Sequence, residues 1–137
     1  MPGKVFIDSN IFIYAKVEQP DIHHHEAARK FLNAIEDEII VSIQVLNEFY
    51  NVLARFKIAD MVIQENINEI LKNVNLVTVT LDTIKLCWQI KAKYKYSYYD
   101  SLILASALEN DCSLLYSEDM HHDQLIEKKL KIVNPFL

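Results

Sequence analysis

The chain has one glycine, Gly3, in 137 residues. Loops that cradle phosphates need several glycines, because only glycine lets successive backbone N–H groups close on a pyrophosphate. By motif, that excludes a dinucleotide-binding fold and a P-loop nucleotidase. Cysteine is almost as scarce. Cys87 and Cys112 lie among apolar neighbours without C-x-x-C spacing, so they read as reduced core thiols and not as a disulfide frame. No apolar run approaches the length that spans a bilayer. The start, Met1-Pro2-Gly3-Lys4, runs straight into a strand-like segment and leaves no room for a signal peptide. A soluble cytoplasmic domain is the expectation. A basic surplus is also missing: the formal net charge is -5, which by itself gives no support to nucleic-acid binding.

What is present is an ordinary globular balance, 51% hydrophobic and 24% charged, in a chain long enough for one domain, 1–137, to close a core without staples. Short β-type runs alternate with longer helical periods, which predicts an α/β fold built from βαβ units on a parallel sheet. Strands are expected at Val5–Asp8, Ile39–Val41 (ending at Ser42), Leu76–Leu81, Leu114–Tyr116 and Ile132–Val133. The clearest helix carries Val45, Phe49, Val52, Leu53 and Phe56 as one apolar stripe. Others are expected through Ile11–Ala15, through Ala28–Ile35 after the Pro20-Asp21 break, and over Met61–Val74, Asp82–Ala92 and Ser97–Glu109.

Four carboxylates stand where such a sheet brings its ligands, beyond the carboxyl ends of the strands. Asp8 ends the first strand, and Asp119 follows Leu114-Leu115-Tyr116. Glu48 sits in the helix after the second strand, and Asp100 opens Asp100-Ser101-Leu102-Ile103 near a helix start. Each has an ordinary structural role open to it: Asp8 and Ser9 as caps, Ser97 and Asp100 as a capping pair, Asp119 as a turn residue. Glu48, beside the buried stripe, has the least ordinary explanation, because an unpaired buried carboxylate costs several kcal/mol, about 2–7 for a polar group and more for a charge. Crowded acids repel unless they share protons or hold a hard cation. Mg²⁺ or Mn²⁺ with phosphoryl chemistry is the reading that four convergent acids favour.

Local charge qualifies the global balance. Lys91, Lys93 and Lys95 interleave with tyrosines directly before Asp100, and aromatics stack on unpaired bases. Lys128, Lys129 and Lys131 form a second basic group, which reads as a solvated face. The His23-His24-His25 run cannot chelate one ion on a helix, since consecutive side chains point apart, and it is expected to face solvent at a helix start. His121 and His122 are expected on a loop surface near the site.

In sum of these motifs the chain resembles the PIN-domain ribonucleases, and among them the VapC-type toxins of toxin–antitoxin pairs. The likeness rests on Asp8-Ser9-Asn10-Ile11, on the Glu48 helix beginning Ser42-Ile43-Gln44, on Tyr98-Tyr99-Asp100-Ser101, on Leu115-Tyr116-Ser117-Glu118-Asp119, and on the close Ile132-Val133-Asn134-Pro135-Phe136. Each motif is weak alone, and their order is what makes them specific. The resemblance implies a PIN-like three-layer α/β/α fold with strand order 3-2-1-4-5. It implies metal binding by Asp8, Asp100 and Asp119, a metal-positioning or water-orienting role for Glu48, and support of the carboxylates by Asn10 and Ser117. It further implies endoribonuclease products with 5′-phosphate and 3′-hydroxyl ends, an antitoxin partner, and a homodimer. One departure is visible: His122-Asp123-Gln124 stands where the family often has glycine.

Two other readings of the residues remain open. A receiver or phosphatase also clusters acids at this sheet edge, although the phosphatase class wants Asp where this chain has Asn10. A PIN-fold binding module without catalysis is the second, and the four intact acids argue against it. Phe31, Ile35, Val52, Phe56, Met61 and Ile63 carry more apolar surface than a small sheet is expected to cover, which points to a groove for an antitoxin segment or a dimer face.

Overall fold

Val5, Phe6 and Ile7 are wholly buried because the strand that carries them is paired on both edges. The computed structural model describes residues 3–137, so the Met1-Pro2 start read above lies outside the described residues. The elements run β1 (Lys4–Ile7), α1 (Ser9–Lys16), α2 (Ile22–Ala34), β2 (Glu38–Ser42), α3 (Ile43–Arg55), α4 (Asp60–Leu71), β3 (Asn75–Val77), α5 (Leu81–Tyr94), α6 (Tyr98–Glu109), β4 (Leu114–Tyr116), β5 (Leu125–Ile126) and β6 (Leu130–Val133). The sheet order is β3-β2-β1-β4-β6-β5. β1 pairs in parallel with β2 and β4, β2 with β3, and β4 with β6, whereas β5 runs antiparallel to β6.

The expected order 3-2-1-4-5 therefore holds, with β6 in the fifth place, and an antiparallel edge strand is added beyond it. That extra hairpin turns at Glu127 and Lys128, both in the left-handed region with φ of 51° and 58°. Such turns normally announce themselves by Asn-Gly or Asp-Gly, and this chain has no glycine to mark them. The third strand was expected over Leu76–Leu81 and is shorter. Thr80 leaves the sheet to cap α5, accepting from the Thr83 amide at 3.3 Å while Thr83 Oγ1 accepts from the Thr80 amide at 3.0 Å. Apolar alternation at Val77 and Val79 thus spans two different jobs.

α1 to α4 pack with one another, and α5 packs along α6. α6 is the central helix: Ser101 through Ala107 are all buried, so it shows no polar face and no amphipathic period. Among the described residues no helix is long and apolar enough to cross a membrane. The apolar surplus is smaller than expected. Ile63 is fully buried and Phe31 packs edge-on against Tyr116 at 4.6 Å, while Ile35 and Val52 are half-buried. Phe56 and Met61 do stand exposed, joined by Val62.

Candidate active site

β1 delivers Asp8 to the carboxyl edge of the sheet, where it is both a helix cap and a buried acid. Its Oδ1 accepts from the Ser9 amide at 2.7 Å, which caps α1, and its Oδ2 accepts from Ser117 Oγ at 2.9 Å. The neighbouring strand β4 brings Ser117 to this edge, since Ile7 and Tyr116 are in register. Ser117 Oγ in turn accepts from the Asp119 amide at 3.2 Å. Asn10, on the first turn of α1, reaches across: its Nδ2 donates to Asp119 Oδ2 at 2.9 Å and its Oδ1 accepts from the Glu118 amide at 3.4 Å. Asn10 and Ser117 are thus hydrogen-bonded to Asp119 and Asp8 respectively.

Glu48 is approached from two sides. Its Oε2 accepts from Ser9 Oγ at 2.9 Å and its Oε1 from Gln44 Nε2 at 2.8 Å. Gln44 Nε2 also donates to the backbone oxygen of Tyr99 at 3.1 Å, which ties α3 to the start of α6. Asp100 sits in the first turn of α6, its amide donating to Ser97 Oγ at 3.2 Å. The capping explanation therefore holds for Asp8, whose carboxylate caps α1, whereas at α6 the cap is Ser97 and Asp100 takes part through its amide, which leaves the Asp100 carboxylate to the site.

The electrostatics join the four. Burial, with the Glu48 and Asp119 charges adding to it, pushes the Asp8 carboxyl up to about 7 against the lowering hydrogen bonds from Ser117 and Ser9. Burial also raises Asp100, with Asp119 and Glu48 adding to it. Among the described residues none of the four carboxylates forms an ion pair with a Lys, Arg or His. The donors are all oxygens, the chemistry a hard divalent cation takes. The cluster is looser than a closed cage: among the described residues no three Asp, Glu, His or Cys side chains stand close enough to form a ready ligand shell. Asp119 is exposed, and its position depends on the Asn10 bond.

Other expected residues are placed differently. Lys93 donates to Glu127 at 2.6 Å, so one of the three lysines is already paired, while Lys91 and Lys95 are exposed. The histidine run does start α2, but it does not all face solvent. His23 is exposed, whereas His25 is buried with its Nδ1 2.8 Å from the Tyr14 carbonyl. His24 lies between Tyr14 and Phe136, at ring distances of 4.8 and 4.4 Å, and bridges Asp21 at 2.7 Å and Glu118 at 3.1 Å. The correction follows from tertiary packing: α2 crosses α1, and its first turn is covered by the C-terminal Phe136. His121 and His122 are exposed on the loop after Asp119, as expected. Ser9, Gln44, Glu118 and Tyr14 were not singled out from sequence. Ser9 and Gln44 had a signal in their spacing beside Asp8 and one turn before Glu48; Tyr14 and Glu118 had none.

The PIN domain family model matches residues 5–128. The chain belongs to the PIN domain family, with a mostly parallel sheet and, among the described residues, six helices. No curated protein sequence matches at a significant level. Among solved structures, the chain is similar to the Mycobacterium tuberculosis VapC20 toxin, described as cleaving the sarcin-ricin loop, with TM-score 0.70 and 17% identity over 84% of this chain and 91% of that one. It is similar to a toxin–antitoxin complex from Klebsiella pneumoniae, with TM-score 0.71 and 18% identity over 96% and 97%. It is also similar to FitAB bound to a DNA fragment, with TM-score 0.74 and 14% identity over 97% and 96%.

Proposed function

We propose that this chain is a Mg²⁺- or Mn²⁺-dependent endoribonuclease and the toxin of a toxin–antitoxin pair. The observation that carries the reading is the group Asp8, Glu48, Asp100 and Asp119, in which burial, with the Glu48 and Asp119 charges, raises the Asp8 carboxyl to about 7 and, among the described residues, no cationic side chain pairs with any of the four. Acids arranged so are short of positive charge, and a divalent ion supplies it. The names of the structural relatives, one of them a toxin–antitoxin complex and one a sarcin-ricin loop cleaving toxin, support the same reading.

Asp8, Asp100 and Asp119 are the residues that would hold the ion, drawn closer together by its charge. When bound, such an ion lowers the pKa of a water and offsets charge growing on a phosphate. Glu48, oriented by Ser9 and Gln44, accepts a proton from the attacking water. Asn10 and Ser117 keep the carboxylates aimed, a role that typically changes metal affinity 10- to 100-fold on removal. Water would attack the phosphorus in line as the P–O3′ bond breaks, and the departing 3′-oxygen would take a proton from solvent, leaving 5′-phosphate and 3′-hydroxyl ends. The antitoxin, or a second copy in a homodimer, would cover the exposed Phe56, Met61 and Val62.

A melting curve with and without Mn²⁺ tests the metal site. Stabilisation by mass action is about 2.7 kcal/mol at a hundredfold excess over Kd. A rise in melting temperature with Mn²⁺ that is lost in Asp8→Asn is expected. Identical curves for the wild type with and without the ion would remove the metal from this reading.

A further inference from the structure

A cleft of about 700 Å³ opens directly beside the acid cluster, lined by Ile43, Gln44, Asn47, Glu48, Asn51, Thr78, Val79, Tyr99 and Leu102. Resting on the nuclease reading, we infer that this cleft is the seat of one unstacked base of single-stranded RNA, stacked on Tyr99 and read by Asn47 and Asn51.

The first argument is placement. Glu48 belongs both to the acid cluster and to the cleft wall, and Tyr99 directly precedes Asp100. A nucleotide whose phosphate meets the acids therefore has its base within reach of this cleft. The two walls are also tied together, since Gln44 Nε2 bridges Glu48 Oε1 at 2.8 Å and the Tyr99 carbonyl at 3.1 Å.

Wall chemistry is the second argument. No Lys or Arg lines the cleft, and Glu48 puts negative charge at its mouth, so it does not suit a phosphate. Ile43, Val79 and Leu102 offer flat apolar contact, as a base ring requires. Tyr99 is 65% exposed, with its ring edge-on to Tyr98 at 5.5 Å. Aromatic rings left open beside a nucleic-acid site stack on bases of any identity. Asn47 and Asn51 lie one turn apart on α3, both exposed on the face opposite Val45, Phe49 and Leu53. Their side-chain amides each carry donors and an acceptor, the complement of a base edge. Gln44 Oε1 is buried in this wall without a partner, one further acceptor for an incoming donor.

Charge supplies the third. With a net charge of -5 and Lys93 taken by Glu127, the basic segment offers the RNA backbone Lys91 and Lys95 alone, which leaves a large share of binding to other contacts. Stacking and base-edge bonds supply that share, and this cleft offers groups for both. A peptide helix from another protein fits less well, because the floor interleaves Asn and Thr with its apolar residues.

The test uses the full chain with Asp8→Asn, in metal-free buffer, titrated with AMP, GMP, CMP and UMP and followed by backbone amide shifts. At least one nucleotide should shift Asn47, Asn51 and Tyr99 in a saturable way, with Kd raised about tenfold in Tyr99→Ala and in Asn51→Ala. No shift at these amides with any of the four, or shifts unaltered by both substitutions, overturns the inference. Concentration-dependent shifts without nucleotide, showing a second copy seated there, overturn it as well. A parallel cleavage assay separates this from the nuclease reading. If nucleotides bind the cleft while the wild type cuts no RNA, the reaction is wrong and the subsite stands. If the wild type cuts RNA yet an abasic nucleotide at each position costs it no more than it costs Tyr99→Ala, the subsite is wrong and the reaction stands.

Discussion

Ser117 Oγ donates to Asp8 Oδ2 at 2.9 Å and accepts from the Asp119 amide at 3.2 Å. One hydroxyl thus couples the acid that ends β1 to the acid that follows β4. Ser117→Ala removes the hydrogen bond that most opposes the raised Asp8 pKa. The expected outcome is a cleavage optimum shifted to higher pH and Mn²⁺ affinity lowered about 10- to 100-fold. A pH–rate profile and a Mn²⁺ titration check both.

Asp8 also gives a stability signature in metal-free protein. Its carboxyl titrates near 7 in the fold against 3.8 as the reference value. Between those values the folded chain keeps the proton and the unfolded chain has lost it, so the unfolded state binds fewer protons. Stability therefore falls as pH rises from about 4 to about 7, and then levels. Asp8→Asn should remove this dependence and melt higher than the wild type at pH 8, on the order of a few kcal/mol in stability. Melting curves from pH 4 to pH 8 read the effect directly.

His24 holds the loop before Asp119 through Glu118, while its ring packs between Tyr14 and Phe136. His24→Phe keeps the ring contacts and removes the bonds. Activity should fall several-fold with a smaller change in melting temperature, since the pair is half-buried and its ring contacts with Tyr14 and Phe136 are kept. Parallel activity and melting measurements decide it.

The basic segment should behave unequally. Lys91→Gln and Lys95→Gln together should flatten the salt dependence of RNA binding as much as the triple change with Lys93→Gln, because Lys93 is paired with Glu127. Plots of affinity against salt for the double and triple variants are expected to overlay.

The scarcity of glycine also leaves a mark on stability. Lys57, Lys95, Asp111, Asp123, Glu127 and Lys128 all adopt positive φ. A left-handed conformation costs a residue with a Cβ roughly 1–2 kcal/mol. Lys128→Gly, at the β5–β6 turn, should raise stability by about 1 kcal/mol in a denaturant titration.

These turns show where the sequence was legible and where it was not. Parallel strands read clearly because Val5-Phe6-Ile7 and Leu114-Leu115-Tyr116 are apolar runs ending at acids, and topology does the rest. The β5 strand did not, because its turn uses Glu127 and Lys128 where sequence rules look for glycine. α6 was found by its boundaries but not by its burial, since a helix apolar on every side has no period to reveal its partners. Within the site, the acids and their nearest supports were visible as local motifs. The bonds from Ser9 to Glu48 and from His24 to Glu118 join residues 39 and 94 positions apart, and nothing in one sequence pairs them.

The central claim is that the four acids cut RNA through a divalent ion. Its most direct measurement is cleavage of a single-stranded RNA by purified wild type and Asp8→Asn at matched Mn²⁺, with a chelator control. Wild-type cleavage abolished by the chelator, and reduced at least about a hundredfold in Asp8→Asn, is the expected result. Cleavage by Asp8→Asn at the wild-type rate, or wild-type cleavage that persists in chelator, would contradict it.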